Sequence, residues 1–316
     1  MIAFVFPGQG SQKVGMGVDL AEASPAAREV FEEVDEALGQ KLSVIMREGP
    51  EDALTLTANA QPAIMANSIA TLRVLEAEFG VSLADTAGAV AGHSLGEYSA
   101  LCGAGSFDLA TTARLLRLRG DAMQSAVPVG VGAMAALLGA DIEKANALAE
   151  AAAEGPEGNE VCEIANDNDP GQVVLSGHAG AIDRAIGLAK EHGIKRGIKL
   201  PVSAPFHCSL MQPAADAMAQ ALSDHPPVDP VIALYANVTA AKVTSAEEER
   251  ALLVQQVTGR VRWRESVGAM HADGVEHFVE LGGKVLSPMI RKIAGEAQTT
   301  SLITMDELEA FAKEIV

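Results

Sequence analysis

Gly92-His93-Ser94-Leu95-Gly96 stands between the apolar run Gly88 to Ala91 and a helical stretch that opens at about Glu97. This strand, tight turn and helix constrain the chain more than any other segment. Small residues are needed at both flanks of G-x-S-x-G, because a Cβ there would meet neighbouring backbone. The turn lifts the Ser94 hydroxyl out at the C-terminal edge of a sheet. It also sets that hydroxyl at a helix N-terminus, where unpaired N–H groups and the helix dipole favour negative charge.

The rest of the chain repeats the alternation that such a turn requires. Ile2 to Phe6 is a short apolar run suited to a strand buried on both faces, and it enters the loop Pro7 to Gln12. Ser24-Pro25 pairs a cap with a first-turn proline for a helix to about Leu38. Helices are expected from about Gln61 to Phe79 and from about Phe107 to Ala126. From Val131 the pattern becomes strand (Ala133 to Leu138), helix (Ile142 to Ala153), strand (Val161 to Ala165), strand (Val173 to Ser176), helix (Ala181 to His192) and strand (Gly197 to Leu200). That order predicts a ferredoxin-like α+β subdomain over residues 131–200, inserted into a larger α/β domain formed by residues 1–130 and 201–316. Beyond it come a helix to about Leu222, a strand near Ile232 to Ala236, and a capping box at Ser245-Ala246-Glu247-Glu248. A strand over Glu276 to Leu281, a helix over Lys284 to Ala294, a short strand at Leu302-Ile303 and a helix from Asp306 complete the chain. Strands alternating with helices imply a mostly parallel sheet with helices on both faces.

Composition narrows the function classes. The 316 residues carry 42 acidic and 23 basic side chains, for a formal charge of −19, which disfavours a nucleic-acid partner. Hydrophobic residues make up 48% of the chain, enough for a packed core. Three cysteines without a C-x-x-C pair read as free thiols, and the scattered Cys and His residues form no metal constellation. The first ten residues have no basic region before their apolar run, and no apolar stretch is membrane-length, so a cytoplasmic protein is expected.

Ser94 needs a base to act as a nucleophile. Of seven histidines, His93 points away from the turn, and His178, His192, His225, His271 and His277 lie in polar or helix-end contexts. His207 closes the proline-stiffened loop Pro201 to His207, from which it could reach Ser94; an ordinary helix-start histidine is the other reading. Arg119-Gly120 lies in the helix after the turn. Exposed, Arg119 would be an ordinary surface cation; buried, it would hold a carboxylate through two parallel N–H···O bonds. The N–H groups of Leu95 and Gln9 are candidate oxyanion donors, although Pro7 to Gly10 also reads as a plain turn.

Taken in order, Phe4-Val5-Phe6-Pro7-Gly8-Gln9-Gly10-Ser11-Gln12, Gly92 to Tyr98, Arg119-Gly120, Pro205-Phe206-His207-Cys208 and Gly283-Lys284-Val285-Leu286 resemble the malonyl-CoA:acyl-carrier-protein transacylases of bacterial type II fatty acid synthesis. The resemblance spans essentially the whole chain. It implies a hydrolase-like α/β fold with the ferredoxin-like insert. It also implies Ser94 as acyl-accepting nucleophile, His207 as base, Gln9 and Leu95 as oxyanion hole, and Arg119 as the ligand of the malonyl carboxylate. The main-chain carbonyl of Gln256 would orient His207, and Phe206 would exclude a 2-methyl group. Asp167, Gly282 and Thr258-Gly259-Arg260 depart from the family pattern.

The reaction implied is ping-pong transfer from malonyl-CoA to holo acyl carrier protein, without a cofactor. An acidic carrier would need a basic face, for which Lys190, Lys195, Arg196, Lys199, Arg291 and Lys292 are candidates. Two rivals remain at this point. A serine esterase would need an acid such as Asp183 or Asp169, and a non-catalytic scaffold would need neither Ser94 nor His207.

Overall fold

The computed structural model describes residues 1–156, 158–202 and 204–315; Ser203, in the loop before His207, lies outside them. A six-stranded sheet organises the larger part. Its strands are β1 (Ile2–Phe6), β2 (Ala87–Gly92), β9 (Leu234–Tyr235), β10 (Lys242–Val243), β11 (His277–Leu281) and β12 (Gln298–Leu302). In between come β3 (Gly132–Leu138), β4 (Glu154–Gly155), β5 (Gly158–Asn159), β6 (Cys162–Asp169), β7 (Gln172–His178) and β8 (Arg196–Lys199).

The six-stranded sheet runs in the order β10-β9-β2-β1-β11-β12, and every pairing is parallel except that of the edge strand β10. Alternation along β1 divides its side chains between two cores. Phe4 and Phe6 face the larger one, with the long helices Pro25–Leu38, Thr57–Phe79 and Leu109–Ser125. Ala3 and Val5 face a second core containing Trp263, Val267, Met270 and Ile290. Helices therefore cover both faces.

The second sheet, β6-β7-β3-β8, is antiparallel throughout, with helices Ile142–Ala153 and Ala179–Leu188 packed on a core of its own. Its order is that of a ferredoxin-like unit. Strand β6 joins it to the larger sheet's surroundings. Asn166 bridges Val261, and the Asp167 N–H donates to the Val261 carbonyl at 2.9 Å. Buried Asp167 also accepts a bidentate bond from Arg264 Nε and Nη2, at 3.0 and 2.8 Å. The departure at position 167 is thus a carboxylate with a built partner.

Several element starts differ from expectation for local reasons. The helix expected from Phe107 begins at Leu109, because Asp108 caps it by accepting the Thr111 N–H at 2.6 Å. The helix expected from Lys284 begins at Ser287, since the Glu280 carboxylate takes the N–H groups of Val285, Leu286 and Ser287. His277, grouped with the histidines of polar or helix-end contexts, is buried in β11, the strand expected there, and bonds Thr300 Oγ1. Gly282 stands at φ +74°, and a Cβ there would lie 2.9 Å from Ser68 Cα, so no other residue fits easily. All three cysteines are free and buried. Among the described residues, no helix is long and apolar enough to cross a membrane.

Candidate active site

At the end of β2 the chain turns into the helix Leu95–Gly103 within three residues. A Cβ on Gly92 would lie 1.9 Å from the Gly96 carbonyl carbon, and one on Gly96 would lie 2.2 Å from the Phe6 carbonyl oxygen. Both flanking glycines are required by backbone, which flexible neighbours cannot relieve. Ser94 itself sits at φ +55°, ψ −110°. Strain of this kind costs about 1–3 kcal/mol, and the surrounding bonds must hold it. Asn237 supplies two of them: its Oδ1 accepts the Ser94 N–H at 2.8 Å, and its Nδ2 donates to the Gly92 carbonyl at 2.6 Å.

His207 meets this turn from the other side of the sequence. Its φ is also positive, at +57°, and its ring is buried. Nδ1 lies 2.8 Å from the Gln256 main-chain oxygen, which can only accept, so Nδ1 carries the proton. Nε2 then presents its lone pair to Ser94 Oγ, 2.8 Å away. Burial, together with the charge of Arg119, pushes the His207 pKa down to about 3.

Arg119 is only 1% exposed. The helix Leu109–Ser125 carries it to within a tight crossing of Thr57–Phe79, where a Cβ on Gly120 would be 2.6 Å from Ala58 Cα. Its Nη1 donates to Gln61 Oε1 at 2.8 Å; its Nη2 donates to Gln256 Oε1 at 2.8 Å and to Ser94 Oγ at 3.1 Å. The guanidinium lies 5.7 Å above the Tyr98 ring. No carboxylate bonds it directly among the described residues, so it is a held cation with neutral partners.

Ser94, His207, Arg119 and Gln256 therefore converge. Leu95 follows at the first position of the helix, where N–H groups have no intrahelical acceptor. Gln9 is adjacent through its loop, since a Cβ on Gly8 would lie 2.6 Å from the His93 oxygen, but no hydrogen bond joins Gln9 to Ser94 or His207 among the described residues. Phe206 is buried beside His207. His93 is turned away, as expected, with Nε2 2.8 Å from Asn168 Oδ1 in the second sheet. Three residues bonded to the site groups were not singled out from sequence: Gln61, Asn237 and Glu97, whose Oε2 accepts the Gln256 Nε2–H at 3.0 Å. Glu97 lay within the motif; the others carried no local pattern.

The acids that an esterase would use lie elsewhere. Asp183 pairs with Lys199 Nζ at 2.7 Å and Asp169 with Lys292 Nζ at 2.8 Å, while a backbone carbonyl occupies the place of the acid beside His207.

Comparison with known proteins fits this arrangement. The model of the acyl transferase domain family matches residues 3–292. The malonyl CoA-acyl carrier protein transacylase of Bacillus subtilis is 44% identical over 309 residues, covering 98% of this chain and 95% of that protein. The Escherichia coli K12 protein of the same name is 43% identical over 314 residues, with 99% of each covered. The crystal structure of acyl-carrier-protein-S-malonyltransferase from Bartonella henselae superposes with a TM-score of 0.95 at 52% identity, covering 99% of this chain and 98% of that one. A malonyl-transacylase solved in complex with its type II PKS acyl-carrier protein superposes at 0.94 with 38% identity, covering 99% of each chain. With a family model over most of its length and such relatives end to end, the chain belongs to the acyl transferase family, among the malonyl-CoA:acyl-carrier-protein transacylases.

Proposed function

We propose that this enzyme moves a malonyl group from malonyl-CoA to the phosphopantetheine thiol of acyl carrier protein through a malonyl ester of Ser94. His207 Nε2 takes the Ser94 proton as Oγ attacks the thioester carbon. The tetrahedral oxyanion forms where the N–H groups of Leu95 and Gln9 can donate to it, at the positive end of the helix. Its collapse breaks the C–S bond, and the proton on His207 goes to the departing CoA sulfur. The carrier thiol then runs the same steps in reverse. Gln256 keeps the imidazole tautomer fixed through its main-chain oxygen, and Phe206 narrows the space beside the acyl group.

The observation that carries this reading is the buried guanidinium of Arg119, 3.1 Å from the serine oxygen. An acyl group with a free carboxylate gives that cation an ionic partner, whereas an acetyl group leaves it without one. Docking of the carboxylate also offsets the positive field that depresses His207, so the imidazole gains basicity once the right substrate is seated.

Intact-mass analysis after incubation with malonyl-CoA, then addition of holo carrier protein, tests the scheme. A malonyl adduct should appear and then discharge to the carrier; Ser94→Ala should show no adduct. An adduct on the alanine variant, or discharge only to water, would reject it.

The carrier is proposed to dock on the exposed cations in and just before β8, with Arg291 and Lys292 on the helix Ser287–Ile293. Lys190, Lys195 and Arg196 make no ion pair among the described residues, while Lys199 and Lys292 are engaged by Asp183 and Asp169, and Arg291 donates to Thr299. Changing Lys195 and Arg196 to Glu should slow transfer to the carrier and weaken its salt dependence, with acylation by malonyl-CoA intact. Loss of both half-reactions together would reject the docking face.

A further inference from the structure

Behind the reacting groups lie two carboxyls that the steps above do not use. Glu97, on the helix Leu95–Gly103, and Glu249, on the helix Ala246–Thr258, are both buried, at 0% and 1% exposure. Glu97 Oε2 is well supplied: it accepts the Asn237 N–H and Gln256 Nε2–H, each at 3.0 Å. Glu97 Oε1 and both oxygens of Glu249 meet no N–H or hydroxyl donor among the described residues. The two carboxyls face each other within hydrogen-bonding reach.

Two ionised carboxylates in that dry space would repel strongly, with each leaving acceptor oxygens unmatched. A single proton between them removes both defects. Burial pushes both groups above the ordinary carboxylate range. The surroundings decide which keeps the proton. Glu97 has two N–H donors and the field of Arg119 from the neighbouring helix, all favouring its charged form. Burial and the negative charges of Glu97 and Glu248 favour the neutral form of Glu249. Tyr98, the remaining titratable group of this cluster, is pushed up by burial and stays neutral.

From Glu97 the contacts lead straight to the site. Gln256 can be oriented only one way, because Arg119 can only donate and Glu97 can only accept. Its Oε1 receives Arg119, while its Nε2 donates to Glu97 and to the Ser94 carbonyl at 2.9 Å. Glu97 also anchors Asn237, whose Oδ1 holds the strained Ser94 N–H.

We propose that Glu249 is a positioning residue: as a neutral acid it donates to Glu97 Oε1, and the carboxylate so fixed sets the Gln256 amide that aims Arg119 at the acyl carboxylate. The proton pair stands on the structure alone, while its effect on malonyl selection rests on the function proposed above.

The first test needs no turnover. Infrared difference spectra of the native enzyme against Glu249→Gln at neutral pH should contain the C=O stretch of an un-ionised carboxylic acid that shifts in heavy water; no such band overturns the proposal. The second is kinetic. Glu249→Leu should lose about tenfold or more in kcat/KM for malonyl-CoA, mainly through KM, and leave the slower acylation by acetyl-CoA within about twofold. Glu249→Gln, which keeps a neutral donor, should recover most of that loss. Native kinetics in the leucine variant, equal loss on malonyl and acetyl donors, or no recovery by glutamine would each overturn it. If the leucine variant does not fold, the infrared band decides. If Arg119→Ala fails to distinguish malonyl from acetyl donors, the function proposed above falls while the infrared result stands.

Discussion

Arg119 Nη2 lies 3.1 Å from Ser94 Oγ, the same oxygen that His207 Nε2 meets at 2.8 Å. One atom therefore stands between a proton acceptor and a permanent cation. In the function proposed above, the first would prepare it for attack and the second would give a dicarboxylic acyl group its second point of attachment. Neither alone distinguishes a transferase for malonyl from a general acyl-serine enzyme.

Removing the cation should separate these roles. Arg119→Ala is expected to lose about 10²–10⁴-fold in kcat/KM with malonyl-CoA, the worth of two hydrogen bonds to a charged group at roughly 1.5–3 kcal/mol each. Acylation by acetyl-CoA should fall far less, or rise. Stopped-flow acylation with both donors gives the comparison, and equal losses would refute the clamp.

The depressed His207 has a signature in pH. With a pKa near 3 in the folded enzyme, the imidazole is neutral and ready to accept a proton throughout the physiological range, so kcat/KM for acylation should show no acidic limb from this group near pH 6. In Arg119→Ala such a limb should move upward, because the opposing charge is gone. Stability carries the complementary sign. The unfolded chain takes up a proton at His207 below about pH 6.5 and the folded one does not until about pH 3, so folding free energy is lost as pH falls through that window. The slope from this group is at most about 1.4 kcal/mol per pH unit. Chemical denaturation of the native enzyme and His207→Asn between pH 7 and pH 4 should show the slopes differing in that sense.

Gly92→Ala should fail for a steric reason alone. Its Cβ would meet the carbonyl of Gly96 at 1.9 Å, a contact between two stretches of backbone. The expected cost is about 3 kcal/mol or more, with activity lost even in whatever fraction folds. A soluble Gly92→Ala enzyme with native acylation kinetics would contradict the geometry of the turn.

Arg264→Ala should loosen the seam between the sheets. It strips a buried carboxylate, Asp167, of its bidentate partner. Arg264 is itself about one-third exposed, so water softens the loss to roughly 1–3 kcal/mol rather than the larger values of fully enclosed pairs. Pairing the change with Asp167→Asn in a double-mutant cycle should return much of it, since no orphaned charge then remains.

The sequence made some of this architecture legible and hid the rest for identifiable reasons. The turn at Ser94 was readable because its requirement is steric and local: two glycines four residues apart, an apolar run before and a helix after. The second sheet was readable from its order of periods, and the helix Ile142–Ala153 lies where that pattern puts it. His207 and Arg119 were harder. As residue types they have ordinary surface uses, and only the ordered resemblance singled them out. Gln61, Asn237 and Glu249 were not recoverable at all, because each matters through a partner 58 to 143 residues away or a contact across two helices. Glu280 teaches the same lesson in reverse. A strand residue there dictates where a helix seven residues later can begin, so the periodic pattern from Lys284 misplaced the start.

The oxygen that steers His207 belongs to a peptide bond, in the helix Ala246–Thr258. A peptide oxygen neither gains nor loses a proton under any condition in which this chain stays folded, and no side-chain substitution at position 256 can delete it. The compass of the imidazole is thus written into main chain, beyond the reach of both acidity and most single mutations. Only a change that displaces the helix as a whole can turn the ring.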